Sequence, residues 1–192
     1  MILPIFVYGT TVLRKKAVDI TPDYPELKQL IQNMFDTMEK ADGVGLAAPQ
    51  VNHAIRLFVV NGAKFADDYV NEPELRNFRK VFINPKIVEF SGNDVSFSEG
   101  CLSIPGLYED VIRKTEIEIE YLDENFVAQK EHLKGVCARI VMHEYDHLDG
   151  VLFVDRISPI KKRMIKGKLD AILNEKTHRN YKMRFASKKM SV

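Results

Sequence analysis

The 192-residue chain carries 28 Lys/Arg against 27 Asp/Glu, a formal net charge of only +1. With 45% hydrophobic and 29% charged residues it has the composition of a soluble globular protein, long enough for one domain with a sizeable core. Two cysteines exclude a disulfide-dense scaffold, and the apolar opening MILPIFVYG lacks the basic flank and cleavage site of a signal peptide and the length of a membrane span, so a cytoplasmic protein with free thiols is expected.

Taken in order, the chain first offers Thr21-Pro22-Asp23 as a helix start, with Thr21 or Asp23 as cap. Leu27, Leu30, Ile31, Met34, Phe35 and Met38 then recur at helical spacing, which predicts a core-facing helix. It runs into GVGLAAPQ, Gly43 to Gln50, whose small residues let a backbone or a ligand come close, although a plain turn has the same composition. Gln50 ends it with an amide able to donate a hydrogen bond. Ile55–Val60 and Lys80–Phe90 read as strands, the second interrupted at Asn84-Pro85, with polar Asn61–Arg79 an exposed excursion between them. EGCLS, Glu99 to Ser103, comes next. Glu116–Tyr121 alternates isoleucine and glutamate as a half-buried strand, and Asp123-Glu124-Asn125 turns it into a partner at Phe126–Lys130. Val151–Ile157 reads as a short strand, and Ser158-Pro159 opens a last helix reaching Asn174.

The chemistry concentrates in VMHEYDHLD, Val141 to Asp149. His143 and His147 stand four residues apart, hence on one face of a helix. Glu144 completes H-E-x-x-H, in which two imidazoles bind a divalent metal and the glutamate handles protons of the metal-bound water. Leu133, Val136, Cys137, Ile140 and Val141 supply the helix's apolar stripe, and Asp149-Gly150 a stop. A catalytic metal wants three protein ligands and an open position. Cys101 is the natural third, since a cysteine beside a dication binds as thiolate. Taken alone, a cysteine is more often a small buried hydrophobe, and Cys137, on the apolar stripe, is read that way.

GVGLAAPQ, EGCLS and HEYDH, in that order, resemble the three signature motifs of the peptide deformylases, enzymes that remove the formyl group from nascent bacterial proteins. Leu3–Ile5 and Val12–Ala17 also look like that family, so the similarity spans most of the chain. The resemblance implies Cys101, His143 and His147 as metal ligands with water in the fourth position, and Glu144 as general base and acid. It implies Gln50 and the backbone N–H of Leu102 as oxyanion donors, and Gly45 as a contact to the substrate backbone. It also implies Fe²⁺ as native ion, with Zn²⁺, Ni²⁺ or Co²⁺ able to occupy the site after purification. The substrate would begin with N-formylmethionine, and Val44, Val136 and Ile140 are candidate pocket walls or, equally, core. The sequence departs from the family at Met142, where glutamine is usual, and in the excursion after Asn61, which looks longer and would alter an edge of the cleft.

Two supporting contacts are expected: an ion pair of Asp146 with Arg113, and Glu99 as a hydrogen-bonding support for a ligand. The expected architecture is α+β, antiparallel strands around a central helix bearing the histidines, with a helix near each terminus. Residues 1–175 would form one catalytic domain and 176–192 a basic tail free to be flexible. Residues 158–192 hold 11 Lys/Arg against 2 Asp/Glu while residues 1–157 hold 17 against 25, so an anionic partner such as ribosomal RNA suits that end, as does a plain solvated helix. H-E-x-x-H is shared with zinc peptidases, but no third histidine follows Gly150 in metzincin fashion.

Overall fold

The computed structural model describes residues 1–186, and residues 187–192 of the expected tail lie outside that range. β2 (Gly45–Ala47), β3 (Leu57–Asn61), β4 (Arg79–Cys101), β5 (Ile104–Leu122) and β6 (Ala128–Lys134) form one antiparallel sheet in the order β2-β3-β4-β5-β6. A second, parallel pair joins β1 (Ile5–Phe6) to β7 (Met183–Arg184) near the C-terminus. The helices are α1 (Leu27–Lys40), α2 (Gly135–Leu148), α3 (Pro159–Met164) and α4 (Lys166–Leu173). The architecture is the expected α+β. No helix among the described residues is long and apolar enough to cross a membrane.

The run Leu57–Val60 is continuously apolar because β3 is covered on both faces. Leu57 and Val59 pack with Leu30, Met34 and Met38 of α1, while Phe58 and Val60 pack with Val136, Ile140 and Val141 of α2. The sheet therefore separates two cores, and α2 is buried around most of its circumference. A third core seats Ile165, Leu169 and Ile172 of the C-terminal helices on Ile104, Leu107 and Val111 of β5. The N-terminus of α2 has no capping side chain of its own. Glu72, from the excursion, accepts a hydrogen bond from Val136 N at 2.7 Å and places a carboxylate at the positive end of the helix.

Several expected boundaries are corrected. α1 starts at Leu27, not at Thr21, because Pro25 disfavours helix at Tyr24 and Glu26 turns with φ 53°. The excursion is not wholly exposed: Leu75 and Phe78 are buried beneath two short helical turns. Asn84-Pro85 does interrupt the strand's ladder as expected, but the strand is longer than Lys80–Phe90. The interruption is a bulge, Asn84 adopting φ 48° and bonding both Ile20 N and Ile20 O, after which β4 continues to Cys101. Val151–Ile157 is no strand. Leu152, Phe153 and Val154 are all buried in the C-terminal core, and Asp155 closes a helical turn by accepting from Leu152 N at 2.9 Å. The last helix is two, α3 and α4, meeting at Ile165, and Ser158 caps the first as expected.

Candidate active site

α2 carries His143, Glu144 and His147 inside the protein, and the end of β4 brings Cys101 to them. The donor atoms of Cys101, His143 and His147 lie within 4.8 Å of one another. Cys101 Sγ stands 3.3 Å from His147 Nε2. Sulfur plus two imidazoles, clustered below the surface, is a donor set that fits one divalent cation with a position left open. The electrostatics agree. Burial works against protonating His143, yet Cys101 and Glu99 outweigh it and hold its pKa well above the usual value. Burial and the charge on His143 keep the His147 pKa well below.

Glu99 aims the first imidazole. Its Oε2 takes His143 Nδ1 at 2.9 Å, which turns Nε2 toward the cluster. Arg113 grips the same carboxylate with Nε at 2.6 Å and Nη2 at 2.9 Å, and extends Nη1 to Asp146 Oδ2 at 2.7 Å. The expected Asp146–Arg113 ion pair is present, and Arg156 adds a second guanidinium to Asp146. Arg139, one turn before His143, bonds Glu99 Oε1 at 3.0 Å and the Val95 and Val111 carbonyls. Burial opposes ionisation of Glu99, but Arg113 and His143 prevail and hold its pKa far below the ordinary carboxylate range.

Gln50 is 1% exposed, and its orientation is determined by its neighbours. Oε1 accepts from Ala47 N at 2.8 Å, so Nε2 faces inward, 3.1 Å from Ser103 Oγ and 3.5 Å from Cys101 Sγ. Glu144, on α2, is pushed up to about 7 by burial, and its Oε2 has no hydrogen-bond partner among the described residues. A buried carboxyl with an unspent oxygen and a pKa near neutrality suits proton transfer.

Gln50, Glu99, Cys101, Arg139, His143 and Glu144 line one cavity of about 430 Å³, together with Val44, Gly45, Leu102 and Ile140. Val136, the other suggested wall, does not line it: it is 4% exposed and packs in the α2 core, as does Met142. Lys64 and Phe65 of the excursion do line the cavity, so that insertion shapes an edge of the cleft. Sequence reasoning also missed Arg139 and Ser103. Spacing held a signal for both, Arg139 lying four residues before His143 and Ser103 two after Cys101. Arg179 and Tyr181 line the cavity too and had no local signal.

The family model for polypeptide deformylase matches residues 2–163. The peptide deformylase of Christiangramia forsetii is 54% identical over 193 aligned residues, covering 98% of each chain. That of Flavobacterium johnsoniae is 52% identical with the same coverage. Among solved structures, a peptide deformylase from Legionella pneumophila superposes with a TM-score of 0.80 at 35% identity, covering 93% of this chain and 99% of that one. Arabidopsis thaliana peptide deformylase 1B does so at 0.80 and 38%, covering 91% and 92%. The chain belongs to the polypeptide deformylase family.

Gly45 is required by its neighbour. A Cβ there would overlap Glu144 Oε1 and stand 2.7 Å from Glu144 Cδ. Gly45→Ala is expected to displace the carboxylate and lower kcat by about 10²-fold, with metal content and melting temperature close to wild type. Full activity in that variant would show that the carboxylate's placement is not critical.

Proposed function

We propose that this member of the family hydrolyses the formyl amide with Glu144, Gln50 and Leu102, around one divalent cation held by Cys101, His143 and His147. The reaction is removal of the N-formyl group from the N-terminal formylmethionine of newly synthesised proteins, with release of formate. The observation that carries the assignment of roles is the convergence of the sulfur and both imidazoles at a cavity that Cys101 and His143 line together with Glu144 and Gln50. The bound ion supplies a Lewis acid that activates water and polarises the formyl oxygen.

The chain's own residues do the rest. Glu144 takes one proton from the attacking water and delivers it to the departing methionine nitrogen as the C–N bond breaks. Gln50 Nε2 and the Leu102 N–H donate to the developing oxyanion, a donor of this kind being worth roughly 3–4 kcal/mol. Ala47 N holds the Gln50 amide with its nitrogen facing inward before substrate arrives. Val44 and Ile140 offer apolar walls to the methionine side chain, and Gly45 lets the substrate backbone lie close. Formate release from formyl-Met-Ala-Ser should fall by about 10²–10⁴-fold in Glu144→Ala, with metal content retained; a wild-type rate in that variant would remove Glu144 from the mechanism.

Fe²⁺ is the native ion in this proposal, and Zn²⁺, Ni²⁺ or Co²⁺ its substitutes in purified protein. A thiolate beside Fe²⁺ is open to oxygen and peroxide. Anaerobically prepared iron enzyme should therefore exceed the zinc form in activity and lose that advantage in air; equal activities would overturn the assignment.

The protein works in the cytoplasm on chains leaving the ribosome, and its basic end contributes to that encounter. Lys166, Lys168 and Lys176 are exposed. Removing residues 158–192 would strip Ile165, Leu169 and Ile172 from a core, so charge reversal is the sounder test. Lys166→Glu/Lys168→Glu/Lys176→Glu should weaken co-sedimentation with ribosomes at low salt, and unchanged binding would refute the contact.

A further inference from the structure

The segment after α4 returns across the cavity and is fastened at both sides. Ile5 N donates to Lys182 O at 2.8 Å and Val7 N to Arg184 O at 3.0 Å, making the short parallel pair. Met183 and Phe185 pack against the C-terminal core, and Tyr181 against the α1 core. Tyr181 Oη donates to Leu102 O at 2.8 Å, tying the strap to the loop that follows Cys101.

Two residues before Tyr181, Arg179 lines the cavity from its exposed rim, whereas Glu144 at the floor is 5% exposed. The guanidinium lies against Gly106, which has φ +78° and where any Cβ would collide with Arg179 Nη2. Among the described residues, no carboxylate pairs with Arg179, although Lys161 nearby takes Glu109 and Asp110 and Arg156 takes Asp146. A guanidinium with unspent donors, two residues from the fastened strap and at the outer end of a site whose reacting end is buried, is placed to meet the residues that come after formylmethionine in the substrate.

We propose that Arg179 is a specificity-determining residue that favours peptides carrying a carboxylate one or two residues after formylmethionine, a role that rests on reading the cavity as the peptide site. Guanidinium and carboxylate match in geometry and charge. Because the pair forms at an exposed rim, its effect is modest and falls as salt rises.

The test uses two series of C-terminally amidated peptides, formyl-Met-Ala-Xaa and formyl-Met-Xaa-Ala, with Xaa as Asp, Ser or Lys. Wild-type enzyme should show kcat/KM about three- to fivefold higher for Asp than for Lys in at least one series, carried by KM and lost at high salt. Arg179→Ala should abolish that preference, Arg179→Lys should retain part of it, and Arg179→Glu should invert it. Equal treatment of Asp and Lys by wild type and Arg179→Glu in both series would overturn the proposal. Absence of formate release from every peptide would instead overturn the deformylase reading of the cavity.

Discussion

The site depends on one buried cluster of charges. Glu99 belongs to β4, Arg113 to β5, and Arg139, His143 and Asp146 to α2, so five side chains bind three elements together around a single guanidinium–carboxylate pair. Cys101 is two residues beyond Glu99, and His147 directly follows Asp146. Holding Glu99 against Asp146 through Arg113 is therefore the same act as holding the sulfur near the imidazoles. Removing so many charges from water costs several kcal/mol per ion. The cluster meets that cost by saturation: Arg113 spends Nε and both terminal nitrogens, and Arg139 adds two backbone carbonyls. Its contribution is geometric, since each ion has its partners only in one relative placement of strand, strand and helix.

Small residues meet a complementary need. Where the cluster fixes the far side of α2, Gly45 permits β2 to approach the near side closely enough to leave room only for the Glu144 carboxylate. Gln50, a few residues on, turns its amide inward because Ala47 N claims its oxygen. The apolar cores on either face of β3 keep β2, β3 and α2 in register, so Gly45, His143, Glu144 and His147 sit on regular elements.

The features legible in the sequence are the local ones. The α1 stripe and H-E-x-x-H keep helical period over several turns, and both stand where expected. The first half of β5 was hidden because its inward residues Ile104, Leu107 and Val111 are spaced three and four apart, a helical rather than a strand period, with positive-φ Gly106 between them. Arg113 further masks the strand by occupying a buried position with a charge that only Glu99 and Asp146, far away in sequence, can neutralise. The helical turn at Phe153–Asp155 and the strap at Arg179–Tyr181 are settled by long-range packing, for which no window of sequence holds a pattern. The clustering of Cys101 with His143 and His147 had a different origin: the two histidines keep helical spacing, while Cys101 was singled out by residue type and by the resemblance of EGCLS to a family motif, whatever path the chain takes between Cys101 and His143.

That triad carries the central claim. X-ray absorption at the metal edge of the anaerobically prepared holoenzyme reads the donor atoms without regard to fold or activity. Coordination by Cys101, His143 and His147 predicts one sulfur and two imidazole nitrogens in the first shell, with one further light atom. A first shell of nitrogen and oxygen alone, with no sulfur, would contradict it.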